Sequence, residues 1–265
     1  MGAELKIAVV IPCYRVTDHI LEVIAGIGPE VSEIYVVDDA CPDGSGKFVQ
    51  ENSKDKRLGF IFHEENQGVG GAVISGYKAA YADGADVVVK IDGDGQMDPS
   101  LISAIAKPVL EGSADYSKGD RFDSLENLFG MPKVRIFGNA VLSLWAKFST
   151  GYWSMTDPTN GFTAIHRRAL GAMNLDKIRK SYFFESDILF RLNIANCVVA
   201  DVPMAAVYGS EKSNMSILKV IFEFPWRHTV NLWKRIFYRY YLREWNVGSF
   251  ELPLGVFLVL FGAWF

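Results

Sequence analysis

Cysteine is scarce in this chain: three thiols in 265 residues, Cys13, Cys41 and Cys197. They are scattered and lack the short spacings that hold a metal. They form no disulfide framework and fit a reducing compartment. The first six residues run straight into an apolar segment, with neither a basic leader nor a hydrophobic core of a leader, so no signal peptide is expected. There is no internal repeat and no low-complexity linker. Outside one segment near the end, basic residues are outnumbered. The net charge is −4, yet 212–243 holds seven Lys and Arg against Glu223 alone, a balance of +6 that leaves −10 for the rest. An acidic body with a basic, aromatic end argues for an anionic partner at that end, and no nucleic-acid partner is expected.

What is present is a large apolar fraction, 49% with 13% aromatic, which permits a substantial core in one large domain or one domain with an appendage. Residues 5–11 read as a first strand stopped by Pro12, and 17–27 as a helix through Ile20, Val23, Ile24 and Ile27. Strands follow at 33–37, 58–63 and 86–91, separated by helices ending near Asn52 and carrying Val73, Ile74, Tyr77 and Tyr81. This alternation predicts a doubly wound α/β fold. The second half is less regular, with helices over 102–110, 134–148, 168–173 and 184–195, and short strands at 115–118, up to His166 and at 198–203.

The most informative stretch is 87–99. A β-branched run, the pattern of a buried parallel strand, ends in Asp92-Gly93-Asp94-Gly95-Gln96. Two carboxylates and an amide at the C-terminal end of a strand are hard oxygen ligands placed where open α/β sheets bind their ligands. Such a set suits Mg²⁺ or Mn²⁺ bridging phosphate oxygens, although a bare Asp-x-Asp taken alone is more often an ordinary turn. Three further loops fall on the same edge: Pro12-Cys13-Tyr14, Asp38-Asp39 and the turn Asn66-Gln67-Gly68-Val69-Gly70-Gly71. An aromatic ring and strand-end carboxylates at one crevice suit a nucleotide. The glycine turn lacks a following Lys-Ser or Lys-Thr, so it reads as close helix–strand packing beside the site rather than a phosphate loop.

Beyond Asn214 the character changes. Residues 217–224 and 226–241 read as two helical segments separated by Pro225, with nine aromatic residues within 222–245. Basic and aromatic side chains so interleaved match an interfacial helix at anionic headgroups. Residues 252–265 carry no charge, but a spanning helix needs about 20 apolar residues. The run reads as the start of a truncated transmembrane helix, with a re-entrant or interfacial element as the alternative. The upstream basic residues then lie on the cytoplasmic side.

Taken in order, Ile11-Pro12-Cys13-Tyr14, Val36-Val37-Asp38-Asp39, the 66–71 turn and Asp92-Gly93-Asp94-Gly95-Gln96 resemble the family 2 glycosyltransferases of glycosyltransferase-A fold. More narrowly they resemble the polyisoprenyl-phosphate glycosyltransferases, the dolichol-phosphate mannose synthase-like group. The resemblance implies that Pro12, Tyr14 and Asp39 hold base and ribose with Asp38 supporting, and that Asp92, Gly93 and Asp94 form the donor diphosphate site. Asp92, Asp94 and Gln96 would be the ligands of Mg²⁺ or Mn²⁺. Gly119-Asp120-Arg121 matches the segment whose Arg binds the acceptor phosphate, and Arg135 with Asn139 matches its second anchor. Asp157-Pro158-Thr159-Asn160-Gly161-Phe162 places Asp157 near the hexose or diphosphate. Glu185-Ser186-Asp187 matches an acidic pair at a helix start, from which Asp187 is expected to orient the sugar or the arginines. Gly209-Ser210-Glu211-Lys212 resembles the loop whose Lys caps the leaving diphosphate. Tyr208 stands where an Arg often precedes that glycine, and Arg15-Val16 replaces the usual Asn-Glu.

The expectation is therefore a three-part chain: a catalytic domain over 1–213, amphipathic helices over 214–250 and an apolar segment over 251–265. Its expected reaction is inverting, metal-dependent transfer of a hexose or hexosamine from a UDP- or GDP-sugar to polyprenyl phosphate at the cytoplasmic membrane face. The resemblance also admits a homo-oligomer. The alternatives are a family 2 enzyme extending a saccharide with Asp187 as base, and a membrane-tethered nucleotide-sugar-binding protein without catalysis.

Overall fold

A computed structural model describes residues 5–123, 133–204 and 217–265. The first half alternates β1 (Ile7–Cys13), α1 (Ile20–Ala25), β2 (Val31–Asp38), α2 (Ser45–Asn52), β3 (Leu58–Phe62), α3 (Val69–Ala82) and β4 (Val87–Lys90). The second half adds α4 (Ile102–Leu110), β5 (Tyr116–Asp120), α5 (Lys133–Thr150), β6 (Thr163–His166), α6 (Arg167–Ala172), α7 (Phe184–Ile194) and β7 (Val199–Pro203). Two long helices close the described chain, α8 (Ile217–Phe237) and α9 (Val247–Trp264), joined by a π-helical turn over Tyr238–Arg243.

The described strands form one sheet in the order β3-β2-β1-β4-β6-β5-β7. All neighbours are parallel except β6, which runs antiparallel to both β4 and β5. β1, β2 and β4 are apolar and buried on both sides, as strands between two helical layers must be. One face packs Val9, Ile11, Val36 and Val89 against Ile20, Val23, Val49, Ile102 and Ile105 of α1, α2 and α4. The other packs Val10, Val37 and Val88 against Val73, Tyr77, Leu170, Ile188 and Leu192 of α3, α6 and α7. Because β5 is parallel to β4, the ends of β1, β2, β4 and β5 open on one edge, together with the loop that enters β6.

Two prolines behave differently from expectation. Pro12 does not stop β1, which pairs with β2 through Cys13↔Asp38. Pro12 lies on the same side of the strand as Val10, whose carbonyl accepts from the Ile91 N–H. Its missing N–H therefore faces the place where β4 has already ended, and no ladder bond is lost. Pro225 likewise does not divide the 217–241 region, because it lies inside α8. A proline inside a helix costs about 3 kcal/mol. Docking offsets this: Phe224, His228 and Asn231 form a buried stripe at helical spacing, with Phe183 edge-on to Phe224 at 5.4 Å and to His228 at 4.8 Å.

The opposite face of α8 exposes Trp226, Trp233 and Phe237. Asn246 starts α9 with a reciprocal cap to Ser249, the α9 residue that is buried. The helix is long and apolar enough to cross a membrane.

Candidate active site

At the end of β4 the strand register sets Lys90 opposite Thr163 of β6, and Thr163 in turn opposite Lys118 of β5. Two lysines thus rise from the middle of the sheet, both buried. Lys90 Nζ lies 2.8 Å from Asp92 Oδ1 and 3.8 Å from Glu185 Oε1 in the first turn of α7. Burial pulls the Lys90 pKa down, but the Asp92 and Glu185 carboxylates more than offset it and hold it above its ordinary value. Burial pushes Glu185 up, against the pull of Lys90 and Lys118. Lys118 donates to the Asn160 carbonyl, and its burial lowers its pKa to about 8.

The turn beyond is built for close approach. Gly93 lies against Ile11 and Val16, where a Cβ would come within 3.3 Å of each. Gly95 has φ +76°, and the Gln96 N–H closes the turn on Asp94 Oδ1 at 3.1 Å. Asp92 keeps 27% of its side chain exposed. Its Oδ2 faces Gly161, where any Cβ would sit 2.8 Å away. Among the described residues no three His, Cys, Asp or Glu converge as a closed metal set. Asp92, Asp94 and Gln96 instead offer a few hard oxygens on an open edge. That donor set fits Mg²⁺ or Mn²⁺ completed by phosphate and water.

Along the same edge β1 delivers Tyr14, 38% exposed, with the Arg15 guanidinium 5.4 Å over its ring. Arg15 itself sits at φ +59° and donates its N–H to Cys41 Sγ at 3.1 Å. Asp38 is buried and accepts from the N–H groups of Cys41 and Gly46, both at 2.7 Å, which pins the loop into α2. Asp39 is buried too. It accepts from the Gln67 N–H at 2.9 Å and the Gly68 N–H at 2.8 Å, and shares a 2.7 Å hydrogen bond with His63, whose other nitrogen meets Ser75. A carboxylate has about four acceptor positions, so roughly one remains for a ligand. The glycine turn packs as expected, but its partner is the 179–184 segment rather than a strand. Gly68 has φ +85°, and a Cβ on Gly70 would meet Phe184 Cβ at 2.8 Å.

Arg121, just past β5, meets Asp157 in a two-pronged pair, Nε to Oδ2 at 2.7 Å and Nη2 to Oδ1 at 3.0 Å. The Arg121 backbone N–H and the Thr159 hydroxyl also donate to Asp157, which is completely buried. Arg121 stays a quarter exposed, so the pair holds a guanidinium at the rim of the cleft. Arg135 and Asn139 fall on α5, but their side chains lie outside the described residues, as does the whole segment bearing Tyr208 and Lys212.

Asp187 is buried. Its Oδ2 accepts from the Arg179 N–H and Arg191 Nε, and its Oδ1 from Asn231 of α8 at 3.2 Å. The arginine side chain it holds is Arg191, and through Asn231 it serves as a bracket between α7 and α8. Glu185, two residues earlier, is the member of the acidic pair that reaches Lys90. Lys90, Lys118 and His63 carried no signal at the sequence level, where a strand-end lysine or histidine reads as solvated.

The profile described as "Glycosyl transferase family 2" matches residues 8–173. A UDP-N-acetylglucosamine–dolichyl-phosphate N-acetylglucosaminyltransferase of Methanococcus voltae is 30% identical over 220 residues, 78% of this chain and 87% of that one. An undecaprenyl-phosphate mannosyltransferase of Micrococcus luteus is 28% identical over 207 residues, 77% and 84% of the two chains. Among solved structures, glucosyl-3-phosphoglycerate synthase of Mycobacterium tuberculosis, in complex with Mn²⁺, UDP and glucosyl-3-phosphoglycerate, superposes with a TM-score of 0.65 at 18% identity, covering 87% of this chain and 80% of that one. The sheet, the ordered strand-end motifs and these matches agree: the chain belongs to glycosyl transferase family 2 and is a glycosyltransferase of glycosyltransferase-A fold.

Proposed function

We propose that the protein transfers one hexose or hexosamine, with inversion, from a UDP- or GDP-sugar to a polyprenyl phosphate at the cytoplasmic face of a membrane. The observation that carries this reading is the coupling of the cleft to a membrane-seeking element. α7 bears Glu185 in the cleft and is latched through Asp187 to Asn231 of α8, whose outer face is aromatic and basic and which leads into the exposed apolar α9. The acceptors named for the Methanococcus voltae and Micrococcus luteus relatives, dolichyl and undecaprenyl phosphate, support the same acceptor class. The division into a catalytic part over 1–213, interfacial helices over 214–250 and a membrane segment from 251 onward belongs to this reading.

In it Pro12 and Tyr14 pack the base, and the remaining acceptor position of Asp39 takes a ribose hydroxyl. Asp92, Asp94 and Gln96 hold Mg²⁺ or Mn²⁺. When bound, the cation stabilises negative charge on the departing diphosphate. Arg121, fixed in its plane by Asp157, holds the acceptor phosphate together with Arg135 and Asn139 and aims one oxygen at the anomeric carbon. That oxygen forms the new bond as the bond from the anomeric carbon to the nucleoside diphosphate breaks, and Lys212 caps the leaving group. A phosphate is already ionised at neutral pH, so no general base is needed. This agrees with the three hydrogen bonds that tie the buried Asp187 to Arg179, Arg191 and Asn231, and disfavours the saccharide-extending reading, which assigns Asp187 as base. Membership in an enzyme family leaves the binding-only alternative without support.

The test is to incubate the purified chain with Mn²⁺, undecaprenyl phosphate and a panel of radiolabelled UDP- and GDP-sugars. A labelled glycolipid formed from one donor, abolished by chelation, is the expected result. Glycosylation of another acceptor with no glycolipid from any donor refutes the reading.

A further inference from the structure

Lys90 has no part in the transfer as proposed, yet it is buried against it. Its ammonium could have been left in water only by a different strand end. The register instead fixes it opposite Thr163 in the middle of the sheet, with 1% of its side chain exposed. Desolvating an ammonium is costly unless it is paired, and Lys90 is paired twice, with Asp92 Oδ1 at 2.8 Å and Glu185 Oε1 at 3.8 Å. Gly161 closes the far side. A Cβ there would crowd Nζ and come within 2.8 Å of Asp92 Oδ2, so the chain has no side chain where it would separate the two groups.

Two consequences follow for a cation on Asp92 and Asp94. One acceptor position of Asp92 Oδ1 is taken by the ammonium, so Asp92 has fewer to offer a cation. The ammonium also places a positive charge one carboxylate away from the cation, and like charges repel. The ammonium offsets the charge of Asp92, which lowers the negative charge that the site offers a divalent ion. Lys118, on the far side of Thr163, adds to the repulsion, while Glu185 is occupied by the two lysines. A nucleoside diphosphate brings the missing negative charge.

We propose that Lys90 is a positioning residue that keeps the Asp92–Asp94 site from loading with a divalent cation alone, so that cation and nucleoside diphosphate bind as a coupled pair. This rests on the assignment of Asp92 and Asp94 as metal ligands. Such coupling is reciprocal: each ligand tightens the other by the same factor.

The experiment titrates Mn²⁺ into the purified chain in detergent, following loss of the free-ion electron paramagnetic resonance signal, with and without UDP or GDP. In the wild type one of the two nucleotides tightens Mn²⁺ by about tenfold or more. In Lys90→Met, Mn²⁺ alone binds about tenfold more tightly and the nucleotide effect shrinks toward none. Lys90→Met leaves Glu185 buried with one partner fewer. The double substitution Lys90→Met with Glu185→Met removes both halves of the pair together, and the same two changes are expected of it. Circular dichroism identifies the variant that has kept its fold. Unchanged Mn²⁺ affinity and unchanged coupling in a folded variant overturn the role of Lys90 while leaving the metal site standing. If neither the wild type nor the variants take up Mn²⁺ with either nucleotide, the metal assignment falls and the inference falls with it.

Discussion

Arg121 grips Asp157 through two parallel hydrogen bonds, Nε to Oδ2 at 2.7 Å and Nη2 to Oδ1 at 3.0 Å, joining the end of β5 to the loop that enters β6. The guanidinium is thereby fixed in one plane at the rim of the cleft, with its partner wholly buried. A fixed fork suits a phosphate better than a mobile side chain, because no rotamer has to be ordered when the phosphate arrives.

Asp157→Asn keeps the shape of this pair but replaces one charged acceptor oxygen by an amide donor, which turns the fork away. The expected outcome is a fall of about 10²-fold in kcat/KM for the lipid acceptor, as for a small misplacement of a reacting group. The affinity for the nucleotide sugar should change little. Steady-state kinetics with each substrate varied separately, together with isothermal titration of the donor, separates the two. Equal losses for donor and acceptor would mean that Asp157 acts on the donor instead.

The Asp187–Asn231 contact is a mechanical link. Asp187→Asn weakens three hydrogen bonds to a buried carboxylate, a loss of about 2 kcal/mol, or a melting temperature lower by about 5 °C. Turnover at a temperature where the variant is folded should persist within about tenfold. Complete loss of turnover in a folded protein would restore Asp187 as a catalytic base.

Acid should loosen α8 from the catalytic part. His228 is buried between α5 and α8, beside Ser149 Oγ at 2.7 Å and edge-on to Phe183. Burial lowers its pKa to about 4. The unfolded chain then binds the proton between about pH 6.5 and 4 while the folded chain does not, so stability is fully present above pH 6.5 and is lost as pH falls toward 4. At pH 5 the loss is about 2 kcal/mol. Melting curves at pH 7 and pH 5 for the wild type and His228→Gln should show the substitution flattening this dependence. Equal slopes would exclude His228 as its source.

Ser249 is the buried residue of α9, so ending the chain after Trp245 removes little that the catalytic part depends on. The shortened protein should melt within a few degrees of the full chain and lose stable insertion into bilayers. It should still bind anionic vesicles through Trp226, Trp233 and the basic residues of α8, less so as salt rises. Flotation assays at low and high salt check both statements. Aggregation of the shortened chain at neutral pH would show that α9 supports the fold.

Much of this arrangement was legible because a parallel strand buried on both faces is written as a continuous β-branched run, and its end as an abrupt change to Asp and Gly. The strand ends at Asp38-Asp39 and Asp92 were read from that change alone. The prolines were misread for the complementary reason. Whether a missing N–H costs anything depends on what lies beside it, and β4 ends before it reaches Pro12. At Pro225 the packing of Phe224 and His228 on Phe183 outweighs a local preference.

The acidic pair marks the limit most clearly. Glu185 and Asp187 are two positions apart on a helix, so their side chains point about 200° apart around its axis, and one sequence pattern fits either facing the cleft. Only the docking of α7 between the sheet and α8 selected Glu185 for Lys90 and Asp187 for Asn231. Lys90 tells the same story, since a lysine closing a strand is ordinarily solvated and here is buried by β6, an antiparallel neighbour from some 70 residues further along the chain. The order of elements, the family and the open carboxylate edge were set by the sequence through local periodicity and strand-end chemistry. Which charges stand beside that edge, and which merely hold helices together, was decided by long-range packing, because direction and burial are properties of the assembled sheet.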